Sequence, residues 1–169
     1  MSNKKLRVNS GRLNLFGVFC CVLIFISSLA KASEVLFNCN SGILKYELMQ
    51  DDARQIVYVH KKNGIQDFFL SSTQKSNPFK LSSVPFSGGG MAYVHFKNGE
   101  YDYYLYNAVS YASEPYIDVL GVMVWHDNKM ISNKHCSGSA NGLFPPAFRS
   151  LPEETLDIKI QNAVFDNRD

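Results

Sequence analysis

The chain has 169 residues, with 17 Lys and Arg against 15 Asp and Glu, for a formal net charge of +2. Five of the basic residues (Lys4, Lys5, Arg7, Arg12, Lys31) and none of the acidic ones lie in residues 1–32, so the remaining 137 residues carry 12 basic and 15 acidic side chains, a net of −3. That balance, with no Lys/Arg run left to track a phosphate backbone, speaks against nucleic-acid binding, while the length suits one domain with its own core.

The four basic residues Lys4, Lys5, Arg7 and Arg12 precede a largely apolar run of 17 residues, 13–29, and Ala30-Lys31-Ala32 follows. This is the layout of an export signal with an A-x-A cleavage site, so residues 1–32 are expected to be removed before Ser33. The run is shorter than the roughly 20 apolar residues a membrane span needs; an uncleaved anchor is the alternative. The bulky Phe19 before Cys20 argues against a lipoprotein signal.

Two cysteines remain after cleavage, Cys39 and Cys136. In an exported protein an even pair reads as one disulfide. It would close a loop of about 100 residues, worth roughly 4–5 kcal/mol in the chain-entropy model. Two free thiols or a metal site are the alternatives. Neither cysteine has a second ligand pair nearby, so no metal or other cofactor is expected.

The β domain is expected over 33–136. Residues 34–38 and 43–49 read as strands around a polar turn, Cys39-Asn40-Ser41-Gly42. Residues 55–62 alternate, with Ile56, Tyr58 and His60 on one face; Asn63-Gly64 turns the chain and 65–70 return, a hairpin signal. Residues 71–87 read as a polar connection, because Pro78 and Pro85 cannot donate to a ladder. A second Asn-Gly pair, Asn98-Gly99, joins an alternating strand to one dense in tyrosine. On that second strand Tyr101, Tyr103 and Leu105 share the expected core face; Glu100, Asp102, Tyr104 and Tyr106 share the other. The strand is expected to end near Ser110. Residues 118–125 are almost continuously apolar, as in a central strand, and 130–136 form the last strand. About eight short strands with tight turns predict an all-β antiparallel sandwich or small barrel.

Residues 137–169 are a tail of different composition, Gly/Ser/Pro-rich to Pro146. Ser150 and Glu153 have capping-box spacing, and Leu156, Ile160 and Val164 follow at four-residue intervals. A short helix to about Phe165 is expected, either docked on the strands or fraying.

No catalytic motif is present: no G-x-S-x-G, no H-E-x-x-H and no Walker loop. Ser87-Gly88-Gly89-Gly90 is followed by a strand, not by the helix N-terminus that phosphate sites use. His60, His95, His126 and His135 are scattered singly and read as surface or turn residues. With no nucleophile–base pair visible, the chain is not expected to be an enzyme. The tyrosines of the second hairpin read either as core plus a half-exposed sheet face, or as a recognition surface. Three consecutive glycines beside them favour recognition, since bare backbone lets a partner approach closely.

The layout resembles that of the periplasmic and membrane-bound inhibitors of C-type lysozyme of Gram-negative bacteria. Phe37-Asn38-Cys39 is similar to that family's early cysteine strand, and Cys136 to its closing cysteine. Ser87, Gly90 and Tyr93 match three of the four positions of its inhibitory Ser-x-Ser-Gly-x-x-Tyr loop; Gly89 stands where the second serine would be. The resemblance implies an eight-stranded barrel in the periplasm. It also implies a protein partner, a lysozyme-like hydrolase or a secreted toxin, bound through Ser87, Gly88, Gly89, Gly90 and Tyr93, with Tyr104 and Tyr106 as flanking anchors. A toxin immunity protein fits the same layout. A glycan-binding module using the tyrosine-rich sheet face is the alternative function.

Overall fold

The computed structural model describes residues 33–112, 116–137 and 146–166. The expected signal peptide and its cleavage site lie outside them.

Nine strands are described: β1 (Glu34–Ser41), β2 (Leu44–Gln50), β3 (Ile56–Lys62), β4 (Ile65–Ser71), β5 (Lys80–Phe86), β6 (Gly89–Asn98), β7 (Tyr101–Ser110), β8 (Ile117–His126) and β9 (Lys129–His135). They form two antiparallel sheets, β1-β2-β3-β4 and β5-β6-β7-β8-β9. A 3-10 turn, Pro146–Ser150, and one α-helix, α1 (Ile158–Asp166), complete the described elements. The all-β antiparallel expectation holds. Among the described residues no helix is long and apolar enough to cross a membrane.

The two sheets face one another. Phe37, Tyr46, Leu48, Ile56 and Tyr58 of the first meet Ala92, Val94, Phe96, Leu105 and Val122 of the second in one buried cluster. Its centre is aromatic: Phe96 lies 4.6 Å from Tyr58 and stacks on Tyr103 at 5.0 Å. Cys39 and Cys136 form the expected disulfide, with Cα atoms 4.9 Å apart, so the bridge ties β1 of the first sheet to the end of β9 in the second. Beside it the Ser137 amide donates to the Asn40 carbonyl at 2.6 Å.

Three local expectations shift and one holds. Cys39 lies inside β1, and the first turn is Gly42-Ile43, with Gly42 at φ +60°. The turn at Asn63-Gly64 has positive φ at both residues (+52° and +77°), as a type I′ hairpin requires. The second Asn-Gly pair is offset by one: Asn98 pairs with Tyr101, and Gly99-Glu100 makes the turn with Gly99 at φ +60°, the pattern of type II′. Finally, the expected connection over 71–87 contains β5. Its Pro85 is tolerated because β5 is the edge of its sheet and needs no N–H there.

The tail packs against the strands. Residues 151–157 form an extended strap: the Leu81 amide donates to the Pro152 carbonyl and the Leu81 carbonyl accepts from the Glu154 amide, both at 2.8 Å. This pairing holds Pro152 and Glu154 extended, so no α-helix follows Ser150 directly. The helix begins at Asp157 instead, whose Oδ1 accepts the Lys159 amide at 2.9 Å, an N-cap bond to the second helical residue. Helix α1 then lies on the outer face of the second sheet. There Ile160, Ala163 and Val164 cover Met91, Tyr93, Tyr104, Tyr106, Ala108 and Met123 in a second buried cluster.

Candidate functional site

The glycine-rich stretch is a tight turn rather than a projecting loop. Ser87 and Gly88 are its two residues, Gly88 at φ +75°, and Gly89 and Gly90 already belong to β6, opposite Phe86 and Pro85. The turn is fastened from behind, where the Tyr111 amide donates to the Gly88 carbonyl at 2.6 Å. A Cβ on Gly89 would run into the Val109 carbonyl of β7, one on Gly88 would sit 2.8 Å from the Ala112 Cβ, and one on Gly90 would sit 3.3 Å from the Val84 carbonyl. Gly88 and Gly89 are therefore called for by the crowding of β6 and the end of β7, and Gly90 by a tight fit against β5, so packing accounts for the glycines without a partner.

The tyrosine expectation is corrected as well. Alternation assigned Tyr103 and Leu105 of β7 properly to the inter-sheet core, but Tyr101, expected on the same core face, is 40% exposed because it sits at the hairpin end. The opposite face is not open, however: Tyr93 is 1% exposed, Tyr104 8% and Tyr106 0%, all beneath the helix and strap. The Tyr93 hydroxyl accepts the Asp157 amide at 3.1 Å, and the Tyr106 hydroxyl donates to Asn133 Oδ1 at 2.8 Å. Burial pushes the Tyr104 phenol well above its ordinary range, with the charge of Asp102 adding to it; burial does the same to Tyr106 against the opposing bond to Asn133. With side chains this buried, none of the three is presented at the surface.

What the turn does border is an open depression of about 630 Å³. Ser83, Val84 and Pro85 of β5 line one side; Gly88, Gly89, Gly90 and Met91 form the floor; Val109 and Tyr111 close the other side. Its lining is mostly apolar, with Ser83 and Tyr111 supplying the polar side chains. Tyr111 is 72% exposed and stacks on Tyr116, itself 55% exposed, with ring centroids 5.5 Å apart and planes 9° off parallel. The Tyr116 hydroxyl reaches Asp118 Oδ2 at 3.1 Å. Val84 and Met91 also pack under helix α1, so the depression and the helix share two side chains.

Beside the depression runs a sheet edge that is unpaired beyond Leu81 among the described residues. Leu81 directs both its backbone groups outward to the strap, so the odd-numbered residues of β5 face away from β6. The next outward groups are the Ser83 N–H and C=O and the Pro85 C=O. Among the described residues the strap pairs with Leu81 alone. Ser83 and Pro85 are exposed. Sequence reasoning named Ser87, Gly88, Gly89 and Gly90 but missed Ser83, Val84, Pro85, Val109 and Tyr111. The alternation of Leu81, Ser83 and Pro85 against Ser82, Val84 and Phe86 was the available signal.

A second polar feature was also missed. His95, read as an ordinary surface histidine, is 12% exposed at its side chain. Its Nε2 lies 2.7 Å from Asp102 Oδ1 and its Nδ1 2.9 Å from Glu154 Oε1. Among the described residues no group of three or more His, Cys, Asp or Glu side chains is arranged to hold a metal ion.

No family model, no curated protein and no solved structure matches this chain.

Proposed function

We propose that this chain is an exported protein-binding module that inhibits a cell-wall-degrading enzyme, a lysozyme-like hydrolase or a secreted toxin, through the depression beside β5. The observation that carries it is the pairing of an open apolar hollow with a strand edge that is unpaired beyond Leu81 among the described residues. An extended loop of a partner protein can take main-chain bonds from Ser83 and Pro85 and set an apolar side chain between Pro85, the glycine floor and Tyr111. The partner class is taken from the resemblance to the lysozyme inhibitors, with binding moved from the buried Tyr93 to the turn at Ser87 and Gly88 and the groove behind it. The disulfide across the two sheets supports an oxidising, exported setting.

The test is inhibition of a C-type lysozyme on a cell-wall substrate, with direct binding measured beside it. Wild-type protein should bind and inhibit. Ser83→Pro, which removes one outward N–H from an edge position, should weaken binding by about tenfold or more with its melting temperature retained. Tyr111→Ala should cost roughly 1–3 kcal/mol of binding. Full affinity in both variants would refute the site.

One observation favours a second reading. The stacked, exposed Tyr111–Tyr116 pair with Asp118 beside it is a platform of the kind that packs on a sugar ring, so retention on insoluble peptidoglycan, without hydrolase binding, would make the chain a glycan-binding module.

A further inference from the structure

A strand at the edge of a sheet presents a row of N–H and C=O groups that can template a further strand. Among the described residues the two sheets end in the edge strands β1, β4, β5 and β9. Three of these are limited in what they can accept. β1 is bridged at Asn40 to Ser137. β5 is bonded to the strap at Leu81 and interrupted by Pro85, which leaves only the short stretch around Ser83. β9 carries Lys129 and Lys134. β4 has no lysine, arginine or proline, and among the described residues no strand lies on its outer side. Its one charge, Asp67, is turned to His60, whose Nδ1 lies 2.7 Å from Asp67 Oδ1. The bulge between His60 and Lys61 falls toward the hairpin end and leaves residues 68–71 in regular register.

The pairing with β3 sets the direction of the β4 backbone. The Ser72 amide donates to the Ile56 carbonyl at 2.8 Å. Hydrogen-bonded positions alternate along an antiparallel ladder, so Phe68 and Leu70 turn their backbone groups to β3, and Phe69 and Ser71 turn theirs outward. Phe69 is 52% exposed, although Val59, its cross-strand neighbour, is 4% exposed. Phe68 and Leu70 point the other way and pack against the inter-sheet core.

The strand is self-complementary about Phe69. Laid antiparallel on a second copy with Phe69 opposite Phe69, it sets Phe68 opposite Leu70 and Leu70 opposite Phe68. Asp67 falls opposite Ser71 instead of its own copy, so no like charges face each other. A two-fold axis beside Phe69 generates this register, and each copy then offers the other the same surface. We propose that β4 is the contact between two copies of this chain, which join their four-stranded sheets edge to edge into one continuous sheet. The two Phe69 residues exchange N–H and C=O, their rings cover each other on the outer face, and the Phe68–Leu70 pairs extend the core on the inner one. The occupant is a second copy because the match of apolar to apolar and polar to polar is written in β4 itself.

Sedimentation equilibrium of the purified, disulfide-bonded protein tests this. A single strand pairing is a small interface, so reversible association is expected, with the mean mass rising toward that of a dimer between about 1 μM and about 1 mM. Phe69→Lys sets two like charges opposite each other at an exposed position and should weaken the dimer about tenfold or more with its melting temperature retained. Ser83→Lys, the same change on the β5 edge, should leave the dimer intact, which separates this contact from binding at the depression. The mass of one chain throughout the range, an undiminished dimer in Phe69→Lys, or a dimer lost in Ser83→Lys would overturn the proposal. Should Phe69→Lys fail to fold, Phe69→Thr takes its place under the same criterion, since it removes the ring and keeps a β-branched strand residue.

Discussion

The two faces of the second sheet are both buried, and they are buried differently. The inner face meets another sheet: Phe96, Tyr103, Leu105 and Val122 pack on rings and aliphatic groups of β1 to β3, and the contact is nearly all apolar. The outer face meets a strap and a nine-residue helix, and polar bonds are threaded through it: Tyr93 to Asp157, Tyr106 to Asn133, His95 to Asp102 and Glu154. A sheet-on-sheet core comes apart only with the whole domain, whereas a short helix laid on a sheet is a local unit that opens at lower cost. The inner face therefore carries global stability, and the outer face carries adjustable stability.

The largest effect should come from the inner face. Phe96→Ala removes the ring that contacts Tyr58, Phe79 and Tyr103 and should cost about 3–5 kcal/mol, read from urea unfolding. Ile160→Ala empties a comparable position on the helix side and should cost less, about 2–3 kcal/mol. Adding Val164→Ala should then add little, because the helix will already have undocked. Equal, additive losses on both faces would erase the distinction.

Gly89→Ala tests the end the faces share. Its Cβ meets the Val109 carbonyl, so β6 and β7 must part locally, and a loss of about 1–3 kcal/mol is expected in the thermal midpoint. A neutral result would restore the glycines to a purely functional role. Tyr106→Phe should cost about 1 kcal/mol, since it removes only the bond to Asn133 and leaves the packing in place.

The smallest effect is the acid limb. Burial raises Glu47, but bonds from Lys45 and Lys61 outweigh it and lower its carboxyl, as happens for Asp102 on the other sheet. Both groups are lowered in the folded state, so their stabilisation is complete above the ordinary carboxylate range and is lost as pH falls below about 4. Glu47→Gln should flatten that part of the stability profile, measured by denaturant midpoints at successive pH values.

Much of this was legible in the sequence, for identifiable reasons. The Asn63-Gly64 turn, the end of β7 at Ser110 and the buried run of β8 follow from φ preferences and side-chain alternation, which act within a few residues. Alternation also separated Tyr103 from Tyr104. What it could not supply was the cover over Tyr104 and Tyr106, because that comes from Ile160 and Val164, far along the chain. Pro85 misled because its meaning depends on whether the strand is central or at an edge, a property of the whole sheet. Ser150 and Glu153 misled about where the helix starts because Leu81 bonds Pro152 and Glu154 and draws that stretch out along β5. The candidate site was half legible: the turn at Ser87 and Gly88 was named, but the edge and Tyr111 beside it depend on β5 being recognised as a strand.

The disulfide divides the chain in a further way. Cys39 and Cys136 enclose every described strand residue from Asn40 to His135 in one covalent ring, and the strap and helix hang outside it. A protease that nicks any turn within the ring leaves two pieces still joined until the bridge is reduced. A protease that cuts after Cys136 severs the tail outright. The two classes of cleavage are told apart by one gel run with and without reductant, and only the second class separates the covering segment covalently from every strand.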